Sequence, residues 1–172
     1  MLKGIGCILV ILATSITGIL AASRMDEMYN EIKYVRQMLY VLQSEIQYSR
    51  TYLAEAFSNI SGFVKSPYNV WLRQLHLRLE RKSEGSLDKV WRETIDEYLI
   101  DVRLPGRQKE QLKELGVCLG CADISVQVKY MELLGNQLEI AMEEMREELE
   151  GKKKLYRCIG VASGIFIAIL LV

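Results

Sequence analysis

The sequence predicts an all-α protein, a six-helix bundle flanked by an N-terminal and a C-terminal transmembrane helix. Three observations predict it: uncharged runs stand at both ends, apolar residues between them recur at steps of three and four, and only 2 of 172 residues are Pro. Steps of three and four with few breakers mean long helices. Uncharged runs near 20 residues mean lipid. The bounds that follow are 4–23 for the first span, 24–154 for a cytoplasmic six-helix bundle domain and 155–172 for the second span.

Between Lys3 and Arg24 stand 20 residues without a charge. They make about 30 Å of helix, the thickness of a bilayer's hydrocarbon core. From Cys158 to Val172 another 15 are uncharged. Counted from Leu155, with Arg157 turned to the headgroups, this second run covers roughly 27 Å. Lys152, Lys153, Lys154 and Arg157 precede it and no cation follows, while Arg24, Lys33 and Arg36 follow the first run. Cations are retained on the cytoplasmic side, so both termini face outward. Gly18 between Thr14 and Ala22, and the pair Gly160 and Gly164, let helix backbones approach within lipid. A competing reading is an exported helical protein with a cleaved signal, because Met1-Leu2-Lys3 is a positive start and Ala21, Ala22 and Ser23 are small.

After the first span, Met25, Met28, Ile32, Val35, Leu39, Leu42 and Ile46 form a heptad row. Before the second, Ile124, Val128, Met131, Gly135, Leu138, Met142, Met145 and Leu149 form another. Helices that continue into spans of one bilayer run side by side and antiparallel. Four shorter helices fall between them, at about 51–64, 67–83, 87–101 and 106–119. Thr51 and Ser66 are the expected N-caps and Pro67 the first helical residue, with breaks at Glu84-Gly85-Ser86 and Pro105-Gly106. Asp123 is placed to cap the last helix. Trp71, Trp91 and Tyr98 fall at helical spacing with Leu72, Leu87 and Ile95, which assigns them to the core.

The 22 bases and 22 acids cancel, which excludes a general nucleic-acid binder. They are nevertheless sorted along the chain. Residues 65–92 carry seven bases and three acids, and residues 123–150 two bases and eight acids. Such runs complement each other inside a bundle, face water, or dock a partner. In the docking reading the contacts are Arg73, Arg78, Arg81 and Lys82 on one side and Glu143, Glu144, Glu147 and Glu148 on the other.

Chemistry-bearing residues are few. Cys118 and Cys121 form a CxxC, but a zinc site needs two further ligands and a redox site a βαβ setting. A membrane-tethered thiol or metal protein built on this pair is the alternative from another functional class. His76 is the sole histidine and reads as a helix-surface residue with no nucleophile assigned to it. No Walker-type GxxxxGK[ST] occurs. Catalytic residues, cofactor, metal and small-molecule substrate are therefore all expected to be absent. Gly116 and Gly120, four apart, allow their helix a close neighbour.

Two stretches carry a resemblance. Glu45-Ile46, Tyr48, Thr51, Leu53 and Ala56 resemble an EIxYGxTPLxxA signature, with Ser49 and Tyr52 where Gly and Pro are expected. Leu115-Gly116, Leu119-Gly120, Asp123 and Gln127 match LGxxLGxxD…Q, and Trp91 and the span after Lys154 also fit. On these residues the chain resembles the stage III sporulation protein AB family of endospore-forming bacteria. The resemblance implies a domain similar to the cytoplasmic part of type II secretion F-type platform proteins. It also implies a place in the channel joining mother cell and forespore. The implied partners are a secretion-type ATPase and other membrane subunits of that channel, and the implied location is the mother-cell side of the outer forespore membrane.

Overall fold

The computed structural model describes residues 2–49, 52–81, 85–121 and 123–171, with the side chains of 23–48, 52–81, 85–121, 123–151 and 155. Apolar residues at steps of three and four produce six helices: α1 (Leu2–Ser49), α2 (Leu53–Ser61), α3 (Tyr68–Glu80), α4 (Leu87–Tyr98), α5 (Gly106–Leu119) and α6 (Ile124–Leu171). No strand occurs among the described residues. Each heptad row and its neighbouring uncharged run form one unbroken helix, so the bracketing helices are 48 residues long. Among the described residues no helix is long and apolar enough to cross a membrane. The uncharged runs fall on side chains outside that set, and so does the packing of Gly18, Gly160 and Gly164.

The inner helices occupy the expected segments, α5 with the expected bounds 106–119 and α2, α3 and α4 shorter than expected. Pro67 takes the N-cap position of α3, one residue before the first helical position. Ser66 is therefore not the cap, and Thr51 lies outside the described residues. What fixes the connection before α3 is α1 instead. The Tyr68 hydroxyl donates to Glu31 (2.8 Å), and Lys65 pairs with Glu31 (3.0 Å) while standing 4.3 Å from the centre of the Tyr34 ring. Burial and the Glu31 carboxylate push the Tyr68 hydroxyl pKa up, so it stays a donor.

The chain divides into two compact units. One, residues 30–141, holds the four short helices with the adjoining parts of α1 and α6. The other comprises residues 1–29 and 142–172, the outer ends of the long helices. Within the first unit Arg36 reaches the Gly135 carbonyl (3.2 Å) and Glu139 (2.8 Å). Leu39 and Gln43, further along α1, share a groove with Met131 and Glu132, further back along α6. The two helices are antiparallel there, as expected. Ile32, Val35, Leu39, Leu42 and Ile46 are all buried. On α6 the buried row is Gln127, Met131, Leu134, Leu138 and Ala141, whereas Ile124, expected inside, is exposed.

The centre of this unit is aromatic. Trp71 and Trp91 are fully buried, edge to face with ring centres 4.9 Å apart, and Phe57 lies 5.7 Å from Trp91. Both indole N–H groups have partners, Thr94 Oγ1 for Trp71 (3.1 Å) and the Leu112 carbonyl for Trp91 (2.8 Å). Each ring contributes about 1.5–3 kcal/mol or more by leaving water. Tyr98, expected in the core, is only half-buried because it lies at the end of α4. The second indole fixes the approach of α5 to α4, since a Cβ on Gly116 would stand 2.5 Å from Trp91 Cδ1. Further along, Lys113 pairs with Asp96 (2.9 Å), so α4 and α5 are antiparallel.

The turn from α5 to α6 is held by side chains. Gln127 Nε2 donates to the carbonyls of Leu119 (3.0 Å) and Cys121 (2.6 Å). Asp123 accepts from the Ser125 N–H (2.8 Å), the expected cap of α6. Hydrogen bonds from Ser125 hold the Asp123 carboxyl below its ordinary pKa of 3.8.

Two outcomes follow. Gly116→Ala drives a methyl into the Trp91 ring and costs about 1–3 kcal/mol, read as a lowered thermal midpoint with quenched or shifted tryptophan emission. An unchanged midpoint contradicts the close approach. The Asp123 cap acts fully above its ordinary pKa of 3.8 and is lost as pH falls through the lower folded value. The Ser125 amide resonance therefore moves in an acid titration of the native chain and stays fixed in Asp123→Asn, which keeps the acceptor without the titration.

Candidate functional site

The residues able to do chemistry are spread apart rather than gathered. Among the described residues no cluster of three His, Cys, Asp or Glu stands ready to hold a metal ion. Cys118 is half-buried and Cys121 exposed, both as free thiols at the end of α5. Burial, then the neighbouring Cys121 and Glu114, push the Cys118 thiol pKa up. That disfavours the thiolate, the form that attacks disulfides or binds metals. His76 is not the surface residue expected from sequence. Its side chain is 19% exposed, and Nδ1–H donates to the Ala54 carbonyl at 2.8 Å, tying α3 to the start of α2.

The charged faces remain as surfaces. On α3, Arg73 and Arg81 are exposed and make no ion pair among the described residues. Arg78 differs, since it pairs with Glu97 on α4 at 2.5 Å and stacks near Tyr98. That hydrogen bond raises its pKa and engages the guanidinium within the fold. Lys82 lies outside the described residues. Most other bases of this stretch are also internally engaged, Lys65 by Glu31, Lys89 by Glu93 and Arg92 by Asp88. On α6, Glu143, Glu144, Glu147 and Glu148 are all exposed. Arg146, on the same stretch, pairs with Glu150 at 3.4 Å.

Sequence reasoning missed an apolar row on the outside of α6. Tyr130, Leu133 and Ile140 are 45%, 51% and 56% exposed. Beside them a groove of about 550 Å³ runs along Val126, Lys129, Tyr130, Leu133 and Asn136. On the other flank a smaller groove of about 210 Å³ lies between α5 and α6, lined by Leu115, Cys118 and Leu134. The signal was present in the sequence. Leu133 and Ile140 are seven apart, two residues after each of Met131 and Leu138 in the core row. Read as a heptad of its own, this spacing marks a second face.

A curated relative, stage III sporulation protein AB of Bacillus subtilis (strain 168), is 26% identical over 171 residues, 99% of each chain. A solved structure of stage III sporulation protein AB (SpoIIIAB) superposes with a TM-score of 0.64 at 24% identity, covering 72% of this chain and 97% of that one. The fold is therefore shared with a solved chain over that part. The family model for stage III sporulation protein AB matches residues 3–172, and the chain belongs to that family.

Proposed function

We propose that this chain is a non-enzymatic membrane platform of the sporulation channel that links mother cell and forespore. The observation that carries the reading is the pair of 48-residue helices. Each runs unbroken from an uncharged stretch of membrane-spanning length into the helical domain, so a displacement of the domain passes along two helices without an intervening loop. In this reading residues 4–23 and 155–172 cross the outer forespore membrane, Gly18, Gly160 and Gly164 let the spans pack, and residues 24–154 stand on the mother-cell side. Family membership supports the sporulation role. A secretion-type ATPase as partner rests on what the sequence resemblance implies, a domain similar to secretion F-type platforms.

The acidic face of α6 is the docking surface for that ATPase. Its four glutamates are exposed in a run of one sign, whereas the basic stretch spends Arg78, Lys89 and Arg92 on internal pairs. Exposed charge of one sign sets encounter and register with a partner of the other. Replacing Glu143, Glu144, Glu147 and Glu148 with Lys abolishes co-purification of the ATPase and leaves the helical circular dichroism intact. Full recovery of the ATPase with that variant removes the docking surface from the account.

A further inference from the structure

We propose that the outward face of α3 on one copy of this chain docks against the outward face of α6 on a second copy. Both faces are helical, exposed and apolar along a seven-residue repeat. On α3, Val70 and Leu77 are 43% and 39% exposed; on α6, Leu133 and Ile140 are 51% and 56% exposed. The two apolar pairs have equal spacing, about 10.5 Å along a helix axis. Their surroundings have opposite charge. Arg73 and Arg81 flank the α3 pair without an ion pair among the described residues, and exposed Glu132 and Glu139 flank the α6 pair, with Glu139 meeting Arg36 from one side.

Orientation selects a register. Tyr68, at the start of α3, meets Glu31, and His76, eight residues on, meets Ala54 just past the end of α1. α3 therefore runs with α1 and against α6. Copies anchored the same way up in one membrane, as the proposed function has them, bring α3 of one antiparallel to α6 of the next. Val70 then faces Ile140 and Leu77 faces Leu133; one turn further Arg81 comes level with Lys129, with Glu80 and Glu132 beside the two cations. Pairing like with like fails, because α3 on α3 sets Arg73 and Arg81 against themselves and α6 on α6 sets acids against acids.

The contact joins two different faces, so each docked copy still presents one free face of each kind. Such heterologous contacts repeat into rings or rows. One helix against another buries less than the roughly 1,200 Å² of a stable soluble complex, so the contact forms under confinement in a membrane.

The test uses the full chain with Cys7, Cys118, Cys121 and Cys158 changed to Ser, carrying Leu77→Cys or Leu133→Cys. Both new sites are exposed, so the core is untouched. Differently tagged single variants are co-expressed, oxidised in isolated membranes and resolved without reductant. The expected result is a mixed dimer near twice the 19.7 kDa chain mass, and a ladder from the double variant. Neither single variant alone forms a dimer, and a Lys33→Cys with Leu133→Cys mixture sets the collision background. Adding Arg73→Glu lowers the mixed band. A mixed band no stronger than background, or dimers from either single variant alone, overturns the contact while the chain stays in the carbonate-washed pellet. Loss of the chain from that pellet instead overturns the membrane reading and leaves the cross-link result to stand on its own.

Discussion

The approach of Trp91 to Gly116 sets the geometry on which the four short helices depend. The indole fills the space that any Cβ at position 116 would take, and its N–H reaches the Leu112 carbonyl one turn away on the same helix. α5 is thereby held at one distance and one rotation against α4. Trp71 meets the other edge of the same ring, and Phe57 extends the aromatic layer to α2. With α5 so fixed, the Gln127 and Asp123 bonds set where α6 begins, and the rotation of α6 about its axis follows from its buried row. That rotation turns Leu133 and Ile140 outward. A surface property thus traces back to the absence of one methyl group.

In the proposed reading, function on this fold belongs to faces. The thiols at positions 118 and 121 are separate and free, and the histidine serves as a strut between α2 and α3. What the surface presents is charge and apolar area: Arg73 on α3 and Arg81 at its end, acids along α6, and an outward apolar row on each helix. In the proposed reading these are assembly surfaces, with the acidic stretch for the ATPase and the α3 and α6 rows for further copies. Two uninterrupted helices then connect those surfaces to the membrane.

The helices and the aromatic core were legible because both depend on periodicity, which the sequence displays directly. Trp71, Trp91 and Ile95 are buried as their spacing requires, and Asp123 caps the helix it precedes. Ser66 misled because a serine before proline looks like a cap, yet Pro67 itself takes that position. His76 misled because a flanking-residue pattern carries no information about a carbonyl 22 positions earlier in the chain. Of the sorted charges, only the structure distinguishes Arg78, held by Glu97, from Arg73, which faces water. The outer row of α6 stayed hidden because one heptad was read where two overlap.

The central claim is a helical domain held on the cytoplasmic side by two spans that remain part of the chain. Labelling with a membrane-impermeant maleimide tests it most directly, using a chain in which Cys7 and Cys158 are Ser so that exposed Cys121 reports. The account predicts protection in intact cells, labelling after lysis, and an intact mass that includes residues 1–23. Labelling in intact cells, or a mass lacking those residues, would contradict it.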